Sequence, residues 1–165
     1  MNLKDKIQEN LKEAVKSRED LKISVLRMVS AAILNKEKEK RYKASKEKSD
    51  LKEEELMKES QLTEEETVNA IFSEAKKRKE AIIEFQKGKR LDLVSKEEAE
   101  LKILKEYLPE EISEEEIRKT AKEIIDKVKA GGAEDMGKVM KELMPCFRGR
   151  AEGNLVSKIV KELLS

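Results

Sequence analysis

The sequence predicts an all-α protein: an N-terminal domain of long antiparallel helices, followed by a small C-terminal helical bundle. Three observations carry that prediction. Of the 165 residues, 44% are charged and only 3% aromatic, in a composition rich in the strong helix formers Ala, Glu, Lys, Leu and Arg. Two prolines and six glycines leave few places where a helix must stop. Apolar residues recur every three or four positions, and no stretch outside those segments alternates as a strand would.

The elements follow in order. Leu3, Ile7, Leu11 and Val15 form one stripe, which the polar run Ser17–Asp20 interrupts. Asp20 is a candidate cap for a second helix, whose face holds Leu21, Val25, Met28 and Ala32, widened by Leu26, Val29 and Ile33. Residues 36–48 carry net charge +4 and residues 50–66 net −6, with few apolar side chains; a solvated helix extension or charged hairpin tip is expected. Capping boxes at Thr63–Glu66, Ser95–Glu98 and Ser113–Glu116 open three further helices. Gly88, Pro109 and Gly131–Gly132 are the expected stops. Asp135 can cap a short helix ended by Pro145, and Leu155, Val156, Ile159, Val160 and Leu163 mark the last one. The expected domains are residues 1–93 and 94–165.

Composition also excludes chemistry. There is no histidine, hence no imidazole base, no Ser-His-Asp triad and no HExxH zinc site. The single cysteine, Cys146, rules out an intrachain disulfide and suits a reducing cytoplasm. Met1–Lys6 has no apolar character of a secretory leader, and the longest apolar stretch, Met28–Leu34, is far short of the roughly twenty residues of a membrane span. The paired glutamates are explained by helix N-termini, where carboxylates are favoured. No catalytic residue, metal or cofactor is expected. Met136, Met140 and Met144, four apart, are expected in a core.

Two basic clusters are candidate anion contacts. Residues 76–90 carry net +5, with Lys76, Lys77, Arg78 and Arg90 the expected contacts. The second lies in Asp135–Gly153, where Lys138 and Lys141 sit near a helix start and Arg148 and Arg150 flank Gly149. Glycine loops entering helices present free N–H groups that suit phosphate, and adjacent cations add charge. A plain turn between helices is the competing reading.

The run Asp135-Met136-Gly137-Lys138-Val139-Met140, then Met144-Pro145, Arg148-Gly149-Arg150-Ala151, Gly153 and Val156, resembles the signature of the GatB/YqeY family. Leu26-Arg27-Met28, Lys77-Arg78-Lys79 with Glu84-Phe85, Arg90-Leu91-Asp92-Leu93 and Tyr107-Leu108-Pro109 agree with it. The resemblance spans nearly the whole chain, with residues 43–60 looking like an expansion. It implies a two-part helical protein similar to the tail of the B subunit of tRNA-dependent amidotransferase, where that tail helps hold tRNA. It also implies the family label of carbon-nitrogen ligase with glutamine as amido-N-donor, although the catalytic parts of that enzyme are missing from this chain. The expected partners are therefore tRNA, a tRNA-handling protein or an amidotransferase subunit, with no membrane. The alternative is a helical protein-interaction scaffold using the wide apolar face of residues 21–34. A glutamine-dependent enzyme is a third reading, short of a nucleophile and base.

Overall fold

Four apolar stripes meet in the N-terminal part of the chain. The computed structural model describes residues 1–48 and 50–165. It divides into two compact units, Met1–Leu108 and Pro109–Ser165. The first holds α1 (Leu3–Ser17), α2 (Asp20–Glu47), α3 (Glu53–Glu59), α4 (Glu64–Lys87) and α5 (Leu91–Lys105). The second holds α6 (Glu114–Val128), α7 (Met136–Leu143) and α8 (Gly153–Leu163), with 3-10 turns at Ala133–Asp135 and Met144–Phe147. No strand occurs among the described residues, so the protein is all-α.

Val25, Leu26, Val29 and Ile33 of α2 are buried against Ile7 of α1, Ala70, Ile71 and Ala75 of α4, and Leu104 of α5. Tyr107 completes this core, and its hydroxyl accepts a hydrogen bond from Asn10 Nδ2 at 2.7 Å. Most of the apolar face expected on α2 is thus filled within the unit, while Leu21 stays exposed, which leaves a scaffold reading much less apolar surface to offer another protein. The same packing moves the boundary. Residues 94–108, expected in the second domain, pack with the first: Leu101, Ile103, Leu104, Tyr107 and Leu108 all belong to its core.

The oppositely charged runs on either side of residue 49 meet each other. Lys48 pairs with Glu59 at 2.7 Å, Lys40 with Glu66 at 2.7 Å, and Arg41 Nε donates to Ser60 Oγ at 3.2 Å. The buried Glu37 takes Lys4 at 2.6 Å and the Leu62 N–H at 3.4 Å. Part of the charged stretch is therefore a short helix, α3, with no buried residue of its own. Ser49 lies outside the described residues.

Local signals hold at two of the three capping boxes. Thr63 and Ser113 both accept from the N–H three residues on, and Glu66 and Glu116 reach back to the cap N–H. Ser95 does not cap: α5 begins four residues earlier, at Leu91, so Ser95 sits inside the helix. Likewise Asp20 is the first residue of α2 rather than its cap. The reason for the early start of α5 is the tight end of α4. Lys89 adopts φ 54°, the Arg90 N–H bonds the Phe85 carbonyl at 2.9 Å, and the Lys89 N–H bonds that of Gln86 at 3.0 Å. This Schellman turn feeds directly into α5.

The left-handed residue is not the expected glycine at the ends of α4 and α6, and α1 ends in the same kind of turn. Arg18, Lys89 and Lys129 hold φ values of 57°, 54° and 53°, while Gly88 has φ −78°. A cation near a helix C-terminus meets the negative end of the helix dipole, which offsets part of the left-handed strain. Lys89→Gly and Lys129→Gly should each stabilise the protein by about 0.5–1 kcal/mol, because removing the Cβ clash outweighs the added freedom of the unfolded chain. Chemical denaturation of the two variants measures this; a loss of stability would show that the cations contribute more than the strain costs.

Candidate functional site

The C-terminal unit is built on a core of Ile117, Ala121, Val139, Leu143, Phe147, Val156, Ile159 and Val160. Met136, Met140 and Met144 pack against it, as their spacing predicts. Phe147 anchors the segment that follows. Arg148 has φ −56° and ψ 125°, Gly149 has φ 69°, and the Arg150 N–H donates to the Phe147 carbonyl at 2.9 Å. These values define a type II turn, whose third residue needs a positive φ. Gly149 is buried and meets that requirement without strain.

The turn separates its two arginines. Arg150 Nε donates to the Glu110 carbonyl at 3.1 Å, and the Arg150 carbonyl accepts from the Ile112 N–H at 3.1 Å. Arg150 therefore fastens the 110–112 strap to the turn. Arg148 is exposed. On α7, Lys138 and Lys141 are both exposed and three residues apart, hence neighbours on one face. Lys138 also pairs with Asp135 at 2.8 Å. That hydrogen bond, with a second from the Gly131 N–H, holds the Asp135 carboxyl below the usual range. Exposed ion pairs of this kind are weak and exchangeable, so Lys138 can still turn to an external anion.

The cluster on α4 divides more sharply. Arg78 turns inward: its Nε lies 2.8 Å from Glu100 and 3.3 Å from Glu97 of α5, and its Nη2 contacts the sulfur of Met28. The side chains of Arg78, Glu97 and Glu100 are only 19%, 16% and 10% exposed. The pairing is ionic, since neither Arg78 Nε nor Glu97 Oε2 is aligned for a hydrogen bond. Arg78 is thus a tie between α4 and α5. Lys77 pairs with Glu74 at 2.6 Å, and Lys76 lies 3.8 Å from Glu80. Arg90 forks onto Asp92 at 3.1 and 2.9 Å, which raises its own pKa and lowers that of Asp92. The cations expected to act together thus differ in availability, and the two clusters belong to different units.

No group of three or more His, Cys, Asp or Glu residues suited to a metal occurs among the described residues. No described helix is long and apolar enough to cross a membrane. Cys146 is exposed, with its sulfur 3.6 Å from the Glu142 carbonyl.

The family of YqeY-like proteins matches residues 4–49 and 45–164. The chain belongs to that family. The two matched pieces of this YqeY-like protein overlap at residues 45–49. It is 28% identical over 162 residues to "Altered inheritance of mitochondria protein 41, mitochondrial" of Pyrenophora tritici-repentis, a match covering 96% of this chain and 79% of that one. It is also 53% identical over 38 residues to an uncharacterised protein of Schizosaccharomyces pombe, covering 23% of this chain and 31% of that one.

One feature of this YqeY-like chain escaped sequence reasoning. Lys36, Lys40 and Lys43, spaced i, i+4, i+7, line a cleft between α2 and α4. That spacing was visible inside the charged run, but a cleft becomes visible only when α4 lies opposite.

Two expected outcomes follow from the site geometry. Gly149→Ala should destabilise the C-terminal unit by about 1–2 kcal/mol through left-handed strain, and Gly149→Asn by less; amide exchange at Val156 and Ile159 reads both. Arg78→Ala should cost about 3 kcal/mol, because two largely buried carboxylates lose their cation. Neutralising Glu97 and Glu100 in the same chain should recover a good part of that loss in a double-mutant cycle.

Proposed function

We propose that this YqeY-like protein is a non-catalytic accessory module that grips the phosphate backbone of tRNA, or joins a tRNA-handling protein in doing so. The reading rests on one observation: Lys138, Lys141 and Arg148 remain exposed around α7 and the Gly149 turn, while Arg150 holds that turn rigid. Rigid placement reduces the ordering cost of binding. Lys76, Lys77 and Arg90 form a secondary set, each already paired: Lys76 and Arg90 with exposed carboxylates, Lys77 with the buried Glu74. Such contacts read backbone and shape rather than bases. The resemblance to the amidotransferase B-subunit tail supports the choice of tRNA.

On this reading the carbon-nitrogen ligase label describes kinship. Glutamine-dependent amide transfer needs an activated nucleophile, and the chain has no histidine to supply the base. We assign the protein to a reducing, cytoplasmic compartment, in keeping with one exposed thiol.

Binding of purified protein to bulk tRNA should weaken roughly 40-fold between 50 and 200 mM salt if about three phosphates are neutralised on duplex-like RNA. The variant carrying Lys138→Glu, Lys141→Glu and Arg148→Glu should bind more weakly and show a flatter salt slope, with unchanged helical content. Unaltered binding by that variant overturns the assignment.

A further inference from the structure

The cleft between α2 and α4 lies in the N-terminal unit and has no role in the proposed contact with tRNA. Its volume is about 430 Å³, within the range of small-ligand sites. One wall is the lysine stripe of α2, Lys36, Lys40 and Lys43; the other is the α4 face carrying Asn69 and Ser73. These spacings, i, i+4, i+7 and i, i+4, put each set on a single helix face. Ala70 keeps the floor open by its small size. The cleft continues into a second cavity of about 270 Å³, which shares Lys36, Glu39, Ala70 and Ser73 and adds Ala32, Asn35 and the paired Glu74 and Lys77.

Three of these groups have nothing to do within the protein. Among the described residues, Lys43, Asn69 and Ser73 have no ion-pair or side-chain hydrogen-bond partner. An ammonium, an amide and a hydroxyl facing one space supply the donors a phosphate takes. Two carboxylates also line the cleft, and both are already matched: Glu39 lies 3.5 Å from Lys36, and Glu66 is 2.7 Å from Lys40. Glu66 also accepts from the Thr63 N–H, and these bonds hold its carboxyl below the usual glutamate range. Its charge is therefore committed to capping α4, and the unmatched charge in the cleft is that of Lys43. No aromatic side chain lines either cavity, so a nucleobase would find no stacking surface.

From this we infer that the α2–α4 cleft is a binding site for a small phosphorylated molecule without a base, of the sugar-phosphate class. The phosphate sits between Lys43, Asn69 and Ser73, with Lys36 turning from Glu39 to join it. The hydroxylated part extends toward Asn35 in the adjoining cavity. Nothing in this site depends on the cations of α7 or the Gly149 turn.

Titration of the ¹⁵N-labelled full chain with ribose 5-phosphate, and with ribose as control, tests the assignment. The expected result is saturable shifts at Lys36, Lys43, Asn69 and Ser73 with the phosphate only. Lys43→Gln and Asn69→Ala, both at exposed positions, should each weaken binding about tenfold while leaving the circular dichroism spectrum unchanged. The triple variant Lys138→Glu, Lys141→Glu, Arg148→Glu should bind ribose 5-phosphate as the parent does, which separates this site from the tRNA contact. Equal response to ribose, indifference to Lys43→Gln, or shifts in the cleft with bulk tRNA alone would each overturn the proposal.

Discussion

Burial of one aliphatic stripe on α2 holds the N-terminal unit together, because Val25, Leu26, Val29 and Ile33 touch α1, α4 and α5 at once. The chain has no tryptophan and few aromatics with which to build a core. It therefore relies on close packing of small branched side chains, where each buried methylene contributes about 0.8 kcal/mol. Tyr107, the one aromatic in this core, closes it from the far end of α5 and satisfies its hydroxyl on Asn10. So occupied, α2 keeps little apolar surface to lend, chiefly Leu21 and Leu34.

Charge does two kinds of work here. In the hairpin of α2 and α3 the positive and negative runs are matched to each other across the turn, and α3 docks without burying a single residue. Between α4 and α5 a single arginine is drawn inside to face two glutamates. A near-neutral total thus conceals a strongly patterned distribution. Many cations pair with nearby carboxylates. Lys43 lines the α2–α4 cleft, and Lys141 and Arg148 are exposed in the C-terminal unit. The proposed tRNA contact and the proposed cleft site lie in different units, so each can be tested without the other.

The sequence by itself determined the helices and the family. Stripe periodicity, the boxes at Thr63 and Ser113 and the Gly149 signature all act over a few residues, and local backbone geometry decides them. The methionine stripe of α7 was legible for the same reason. What only the tertiary structure decided are matters of long-range encounter. Arg78 meets carboxylates about twenty residues away, and Arg150 meets a carbonyl forty residues away, so neither could be distinguished from a solvated cation by its neighbours in sequence. The side on which α5 packs, the choice of Lys89 over Gly88 for the left-handed turn, and the lysine cleft belong to the same class. Each depends on which surface lies opposite, and a charged residue carries no sequence mark of whether its partner will be water, a carboxylate or a ligand.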